Sequence, residues 1–206
     1  MFPDRTVFIV DDDDNVRASV CALVSSLGCH AQAFASAEEL LASDALENRG
    51  VLVVDLRMSG MSGLDLQDEL LRRKCQLPVI ILTAYARTST TVRAMQTGAV
   101  TLIEKPYHDD DLWDAIRTAM NEEEAAWTAE QCRREICERI VTLTPEERRV
   151  VDLIVEGHPN KQIANQLGIA LRTVEKRRHA ALAKLKTESV AELVRLLLEA
   201  EGSLEL

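Results

Sequence analysis

Short aliphatic runs alternate with stretches of helical spacing through the first 120 residues. Thr6-Val7-Phe8-Ile9-Val10, Val51-Leu52-Val53-Val54, Pro78-Val79-Ile80-Ile81-Leu82 and Ala99-Val100-Thr101-Leu102-Ile103 are apolar in succession rather than at every second place. Such runs suit strands covered on both faces, as in a parallel sheet. After the first run, Val16, Val20, Leu23, Val24 and Leu27 recur at helical spacing until Gly28. Ser36-Ala37-Glu38-Glu39 is an S-x-x-E capping box that opens a second helix, and a further helical pattern starts at Leu64. The run at Val51–Val54 counts as the third strand of five. Strict strand–helix alternation predicts an α/β fold, a doubly wound five-stranded parallel sheet.

The pattern then changes. From Asp109 to about Ile140 there is no Gly or Pro, and Leu112, Ile116, Ala119, Met120, Ile136 and Ile140 keep helical intervals. This predicts a last helix of the first domain that runs into, or is followed shortly by, a helical linker. Beyond it, Thr144-Pro145-Glu146-Glu147 is a complete helix start: Thr cap, Pro at the first position, Glu at the third. That helix stops at Gly157. Asn160 is expected to cap the next, with Ile163, Ala164 and Leu167 inward, and Gly168-Ile169-Ala170 makes a tight turn. A third helix spans about Leu171 to Lys184 and a fourth Ser189 to about Leu198. Two short helices around a glycine-bearing turn give a helix-turn-helix, so the expected organisation is 1–121, a linker 122–142, and an all-α domain 143–206.

Composition narrows the class. The 206 residues are 47% hydrophobic and 28% charged, as in a soluble globular protein. No stretch reaches the roughly 20 apolar residues of a membrane span. The first residues lack a basic segment followed by an apolar one, so a cytoplasmic protein with no membrane partner is expected. The five cysteines are scattered without a C-x-x-C and read as small buried hydrophobes. The net charge of −10 is uneven: residues 1–120 carry 18 acidic and 11 basic groups, residues 143–206 carry 10 of each. Within the latter, Arg172, Lys176, Arg177, Arg178, Lys184 and Lys186 face Glu175 alone over residues 172–186. An acidic half and a locally basic segment imply two domains with different partners.

Candidate chemistry collects at strand ends. Asp11 and Asp12 follow the first strand, Asp55 the third, Thr83 the fourth and Lys105 the fifth. In open α/β sheets, ligands bind outside the carboxyl ends of the strands. Carboxylates brought together there need a compensating cation. Mg²⁺ is hard, oxygen-seeking and suited to a few carboxylates and phosphate oxygens. An Asp so neutralised can act as a nucleophile toward phosphorus, with Lys105 and Thr83 of the right type to hold the phosphoryl oxygens. Two rivals for the acidic run fail on spacing. An EF-hand counted from Asp11 would have Val16 in place of its Gly and Ala22 in place of its Glu. A haloacid-dehalogenase-type nucleophile motif would usually have Thr or Val where Asn15 stands.

Residues 5–120 resemble a response-regulator receiver domain, with "VLVVDLRMSGMSGLDL" and "TLIEKP" close to the FixJ/NarL subgroup. The resemblance implies that Asp55 accepts phosphate from a sensor histidine kinase. It implies Mg²⁺ held by Asp11, Asp12, Asp55 and the main-chain carbonyl of Arg57, Thr83 as switch hydroxyl, Lys105 on the phosphoryl group, and a cis peptide before Pro106. Three departures stand out. Ser59 replaces the usual Pro of the loop after Asp55. Leu102 replaces the usual aromatic of the switch. Tyr85, two after Thr83, is either a shield over the site that slows attack by water on an acyl phosphate or a packed surface aromatic.

On the third helix of the last domain, Leu171, Val174, Ala181, Leu182 and Leu185 fall on one arc at 100° per residue, and Arg172, Lys176, His179 and Ala183 fall opposite. Arg178 falls within the core arc. The segment "LTPEERRVVDLIVEGHPNKQIANQLGIALRTVEKRRHAALAKL" resembles the LuxR/NarL-type DNA-binding domain. Mapped by motif, Glu175, Lys176 and His179 face bases. Lys161, Arg172, Arg177 and Lys184 are expected on phosphates. Arg177 departs from a usual His. The resemblance also suggests a homodimer on phosphorylation, through the last helix around Val190–Leu197. The expected protein is a phosphorylation-gated regulator of transcription on double-stranded DNA, a phosphoacceptor rather than an enzyme. Two alternatives remain at this point: a receiver whose last domain binds protein, and a phosphatase of the haloacid-dehalogenase type.

Overall fold

The structure, a computed structural model, describes residues 5–201, with side chains through Leu198. Residues 1–4 and 202–206, the outer ends of the two expected domains, lie outside the described residues. Two compact units divide at residues 126/127.

The first unit alternates strand and helix as expected: β1 (Thr6–Val10), α1 (Asp14–Ser26), β2 (His30–Phe34), α2 (Ala37–Ala42), a 3-10 turn (Asp44–Glu47), β3 (Gly50–Asp55), α3 (Gly63–Arg72), β4 (Val79–Thr83), α4 (Thr88–Gln96), β5 (Ala99–Glu104) and the first half of α5 (Asp109–Val141), a helix that continues past residue 126 into the second unit. The five strands are parallel in the order β2-β1-β3-β4-β5. Successive strand residues serve opposite faces, which explains the unbroken apolar runs. Val7, Ile9, Val51, Val53, Ile80 and Leu82 pack with Val20 and Val24 of α1 and Leu112, Ile116 and Met120 of α5. Phe8, Val10, Leu52, Val54 and Ile81 pack on the other face with Leu40 of α2 and Leu66 and Leu70 of α3. The second strand, HAQAF, is an edge strand with three exposed residues. It carries no apolar run, which is why the sequence pattern did not locate it.

The second unit holds α6 (Pro145–Val155), α7 (Asn160–Leu167), α8 (Leu171–Leu185) and α9 (Val190–Glu201). Val150, Val151 and Ile154 of α6, Ile163 of α7, Val174, Ala181 and Leu185 of α8, and Leu193 and Leu197 of α9 form its core. The α6 capping box is complete: Glu147 N–H donates to Thr144 Oγ1 (3.2 Å), and Thr144 N–H donates to Glu147 Oε2 (2.8 Å). Gly168 closes α7 in the left-handed region at φ 65°, where a side chain is strained.

Three local expectations are corrected. Asn160 does not cap α7. Pro159 holds the N-cap without a side-chain bond, and Asn160 Oδ1 instead accepts from Arg178 (3.3 Å). That bond accounts for a charged residue on the core arc of α8, since Arg178 reaches across to α7 with its stem half-buried. Leu171, placed on the core arc, is 44% exposed, because it lies in the first turn of α8 before the helix meets its neighbours. The S-x-x-E box of α2 is half formed. Ser36 Oγ accepts from Glu39 N–H (3.2 Å), while Glu39 reaches one residue further back to Ala35 N–H (2.6 Å).

Candidate functional site

The strand order reverses direction between β1 and β3, and the crevice at that switch point is where the residues after both strands meet. Asp55 ends β3, its main chain paired in register with Leu82 of β4. Gly63 opens α3 directly beneath. A Cβ there would stand 2.6 Å from the carbonyl oxygen of Asp55, so only glycine lets the helix start this close. Asp11, just past β1, is 3% exposed and Asp55 8%. Two carboxylates this buried require a counter-charge, and Lys105 supplies it. Its Nζ donates to Asp11 Oδ2 at 2.8 Å and to Asp55 Oδ1 at 2.6 Å. Burial works against the charge on Lys105. The hydrogen bonds and charges of the two carboxylates outweigh it, so the lysine pKa lies above its ordinary value. The Lys105–Pro106 peptide is cis, as the resemblance implied.

The other carboxylate oxygen of each is bonded to main chain. Asp55 Oδ2 accepts from Arg57 N–H (2.6 Å), and Asp11 Oδ1 accepts from Asp13 N–H (2.9 Å). Asp12 is placed differently: it is exposed, and its Oδ2 accepts from Ser59 N–H (2.8 Å). Asp13 is the N-cap of α1, accepting from Asn15 and Val16 N–H, and Asp14 pairs with Arg17. The second half of the acidic run is therefore structural. Thr83 is 1% exposed, and its hydroxyl accepts from Tyr85 N–H and donates to Tyr85 C=O, both at 3.2 Å. It stands at the site, turned onto its own loop. Tyr85 is 66% exposed, with the Arg57 guanidinium 5.7 Å from its ring centroid. Leu102 is half-buried against the core face that holds Phe8 and Ile81.

Hard oxygen donors at this edge are of the kind that suits a small divalent cation, and here the Lys105 ammonium bridges two of them, Asp11 and Asp55. Asp12 does not join them. No group of three His, Cys, Asp or Glu side chains poised for a metal occurs among the described residues, and the Asp12 carboxylate accepts from Ser59 N–H.

The second candidate region is the outward face of α8. Arg172, Glu175, Lys176 and His179 are all exposed there, as is Lys161 on α7. None of the five forms an ion pair among the described residues. Arg177 is half-buried and lies close enough to Glu146 to add to the lowering of that carboxyl's pKa, which comes first from the main-chain N–H of Glu146 and the Thr144 hydroxyl. Lys184, expected on phosphate, is committed inside its own domain. It donates to Glu147 Oε2 (2.6 Å) and to Thr142 C=O (3.1 Å). No local pattern marks this pairing, since 37 positions separate Lys184 from Glu147. Val190–Leu197, the suggested dimer segment, places Leu193 and Leu197 in the domain core and so cannot offer them to a partner; Leu198 is 60% exposed.

Residues 7–117 match the profile of the response regulator receiver domain, and residues 141–197 that of the bacterial regulatory proteins of the luxR family. The chain belongs to the LuxR-type response regulators. Among relatives, the transcriptional regulatory protein FixJ of Rhizobium meliloti is 40% identical over 195 residues, 95% of this chain and 96% of FixJ. Nodulation protein W of Bradyrhizobium diazoefficiens is 37% identical over 190 residues, 92% of this chain and 84% of that protein. Among solved structures, the response regulator StyR superposes with a TM-score of 0.84 at 37% identity, covering 94% of this chain and 98% of StyR. Full-length FixJ from B. japonicum gives 0.58 at 34% identity, covering 96% and 98%. This response regulator is a phosphorylation-dependent DNA-binding regulator of transcription, with a receiver that takes phosphate from a histidine kinase and a LuxR-type domain that binds DNA. Among its described residues no helix is long and apolar enough to cross a membrane.

Proposed function

We propose that Asp55 is the phosphoacceptor, and that its phosphorylation favours a homodimer that binds DNA through the outward face of α8. The observation that carries this is the single ammonium of Lys105 shared by Asp11 and Asp55 at the switch point. In the transfer, a carboxylate oxygen of Asp55 attacks the phosphorus of a phosphohistidine. The O–P bond forms as the P–N bond breaks, and the imidazole nitrogen keeps the electron pair. Arg57 N–H fixes the orientation of the attacking carboxylate through Oδ2. Lys105, already on Oδ1, moves with the charge onto the phosphoryl oxygens. Thr83 gives up its bonds to Tyr85 main chain and donates to the same group, which pulls on the loop that leads into α4.

Mg²⁺ would be held by Asp11, Asp12, Asp55 and the carbonyl of Arg57. When bound, it neutralises the carboxylates and phosphoryl oxygens as they approach. The protein is a phosphoacceptor that loses its own phosphate slowly, not an enzyme with turnover. On α8, Glu175, Lys176 and His179 face bases; Lys161, Arg172 and Arg177 hold phosphates, and Lys184 is withdrawn from that set.

The test is a salt-series DNA titration of the full-length protein, with and without Mg²⁺ plus beryllofluoride as phosphoryl mimic, with the oligomeric state followed by light scattering. Binding tightens with the mimic, the dimer fraction rises, and affinity falls steeply with salt. Equal binding in both states would mean that the receiver is not the switch.

A further inference from the structure

The loop between β3 and α3 is pinned by three carboxylates at alternate main-chain N–H groups. Arg57 N–H donates to Asp55 Oδ2 (2.6 Å), Ser59 N–H to Asp12 Oδ2 (2.8 Å), and Met61 N–H to Glu38 Oε1 (3.0 Å). The first and third bonds hold the loop to β3 and α2. The middle one differs in kind, because it occupies an oxygen of a carboxylate that the proposed function gives to the metal. Asp11 and Asp55 converge on one cation, and Asp12, next in sequence to Asp11, is held 47 positions away in the chain by a main-chain donor.

We propose that the Ser59 N–H is a latch on Asp12, and that residue 59 thereby sets the Mg²⁺ affinity of this receiver. The inference rests on the reading of Asp12 as a metal ligand. A charged acceptor with an N–H at 2.8 Å must release or share that bond to turn toward a cation. Hydrogen bonds to charged groups are worth enough to shift an equilibrium about tenfold, and water returns part of that. The donor is the main-chain nitrogen, so the serine side chain plays no part. Proline is the one residue that cannot form the latch, having no N–H. Serine at this position makes Mg²⁺ loading harder and leaves the unloaded site better ordered.

The experiment is Mg²⁺ titration of the full-length protein by calorimetry, comparing wild type with Ser59→Pro, Ser59→Ala and Asp12→Asn. Ser59→Pro binds Mg²⁺ about three- to tenfold more tightly, and Ser59→Ala, which keeps the N–H, matches wild type. In ¹⁵N-labelled wild type, the Ser59 amide resonance moves with the same midpoint as the calorimetric titration, and its exchange with solvent speeds up in the loaded state. That second measurement stands if Ser59→Pro does not fold. Unchanged affinity in Ser59→Pro, equal tightening in Ser59→Ala, or a Ser59 amide indifferent to Mg²⁺ overturns the latch. Asp12→Asn separates the two levels. If it leaves Mg²⁺ affinity unchanged, Asp12 is no ligand and the metal-site reading falls with the latch. If it weakens binding while Ser59→Pro behaves as wild type, the latch alone falls.

Discussion

The receiver and the DNA-binding domain treat charge in opposite ways. At the switch point Asp11 and Asp55 are buried, and every one of their four side-chain oxygens has a partner, two of them on a single lysine. On α8, Arg172, Glu175, Lys176 and His179 stand in solvent with no ion pair among the described residues. A buried set has to be neutralised from within, so any change to one member is felt by the others and by the fold. An exposed set costs little to keep and is free to exchange its counterions for a phosphate backbone. Chemistry and stability are therefore coupled in the first region and separable in the second.

The largest expected effect comes from removing the acceptor. Asp55→Asn abolishes labelling by an acyl-phosphate donor while the folded far-UV spectrum is retained, and labelling at another site would overturn the assignment. Next, Lys105→Ala leaves two buried carboxylates facing each other and costs about 2–4 kcal/mol in urea unfolding. Added Mg²⁺ restores part of that loss if the ammonium stands in for a cation, and a variant insensitive to Mg²⁺ would show that it does not.

Across the comparison, Lys176→Ala weakens operator binding by about 1–3 kcal/mol with no change in urea midpoint, while Arg172→Ala weakens all sequences alike and reduces the salt slope by about 1. A loss of stability in either would mean that the exposed set is not free of the fold.

The smallest effect is at Glu147. Its pKa is lowered, first by the Lys184 hydrogen bond and then by Thr144 N–H. A carboxyl with a lowered folded pKa stabilises above its unfolded pKa, and that contribution is lost as pH falls through the folded value. Glu147→Gln is therefore modestly less stable than wild type at neutral pH. The gap closes as the solution is acidified below the ordinary carboxylate range, as read by thermal unfolding at stepped pH.

Much of this was legible along the chain. Buried strands announce themselves by unbroken aliphatic runs, and the residue after each run marks the sheet edge where chemistry gathers; Asp11, Asp12, Asp55, Thr83 and Lys105 were found that way. The edge strand His30–Phe34 was not, because half-exposed residues leave no run to read. The basic face of α8 followed from helical spacing alone. Arg178 did not fit that spacing, and its bond to Asn160, 18 positions earlier, gives the reason.

The sequence by itself determined the two folds, the acidic strand ends and the outward face of α8. All of these are set by local pattern: period, caps, glycines and the order of elements. The tertiary structure decided which charges are spent and which remain free. It placed Lys105 between Asp11 and Asp55, gave Lys184 to Glu147, turned Thr83 onto Tyr85 and set Asp12 on Ser59 N–H. Those choices depend on distances between residues far apart in the chain, and a side chain's partner is fixed only when the fold brings it within about 3 Å.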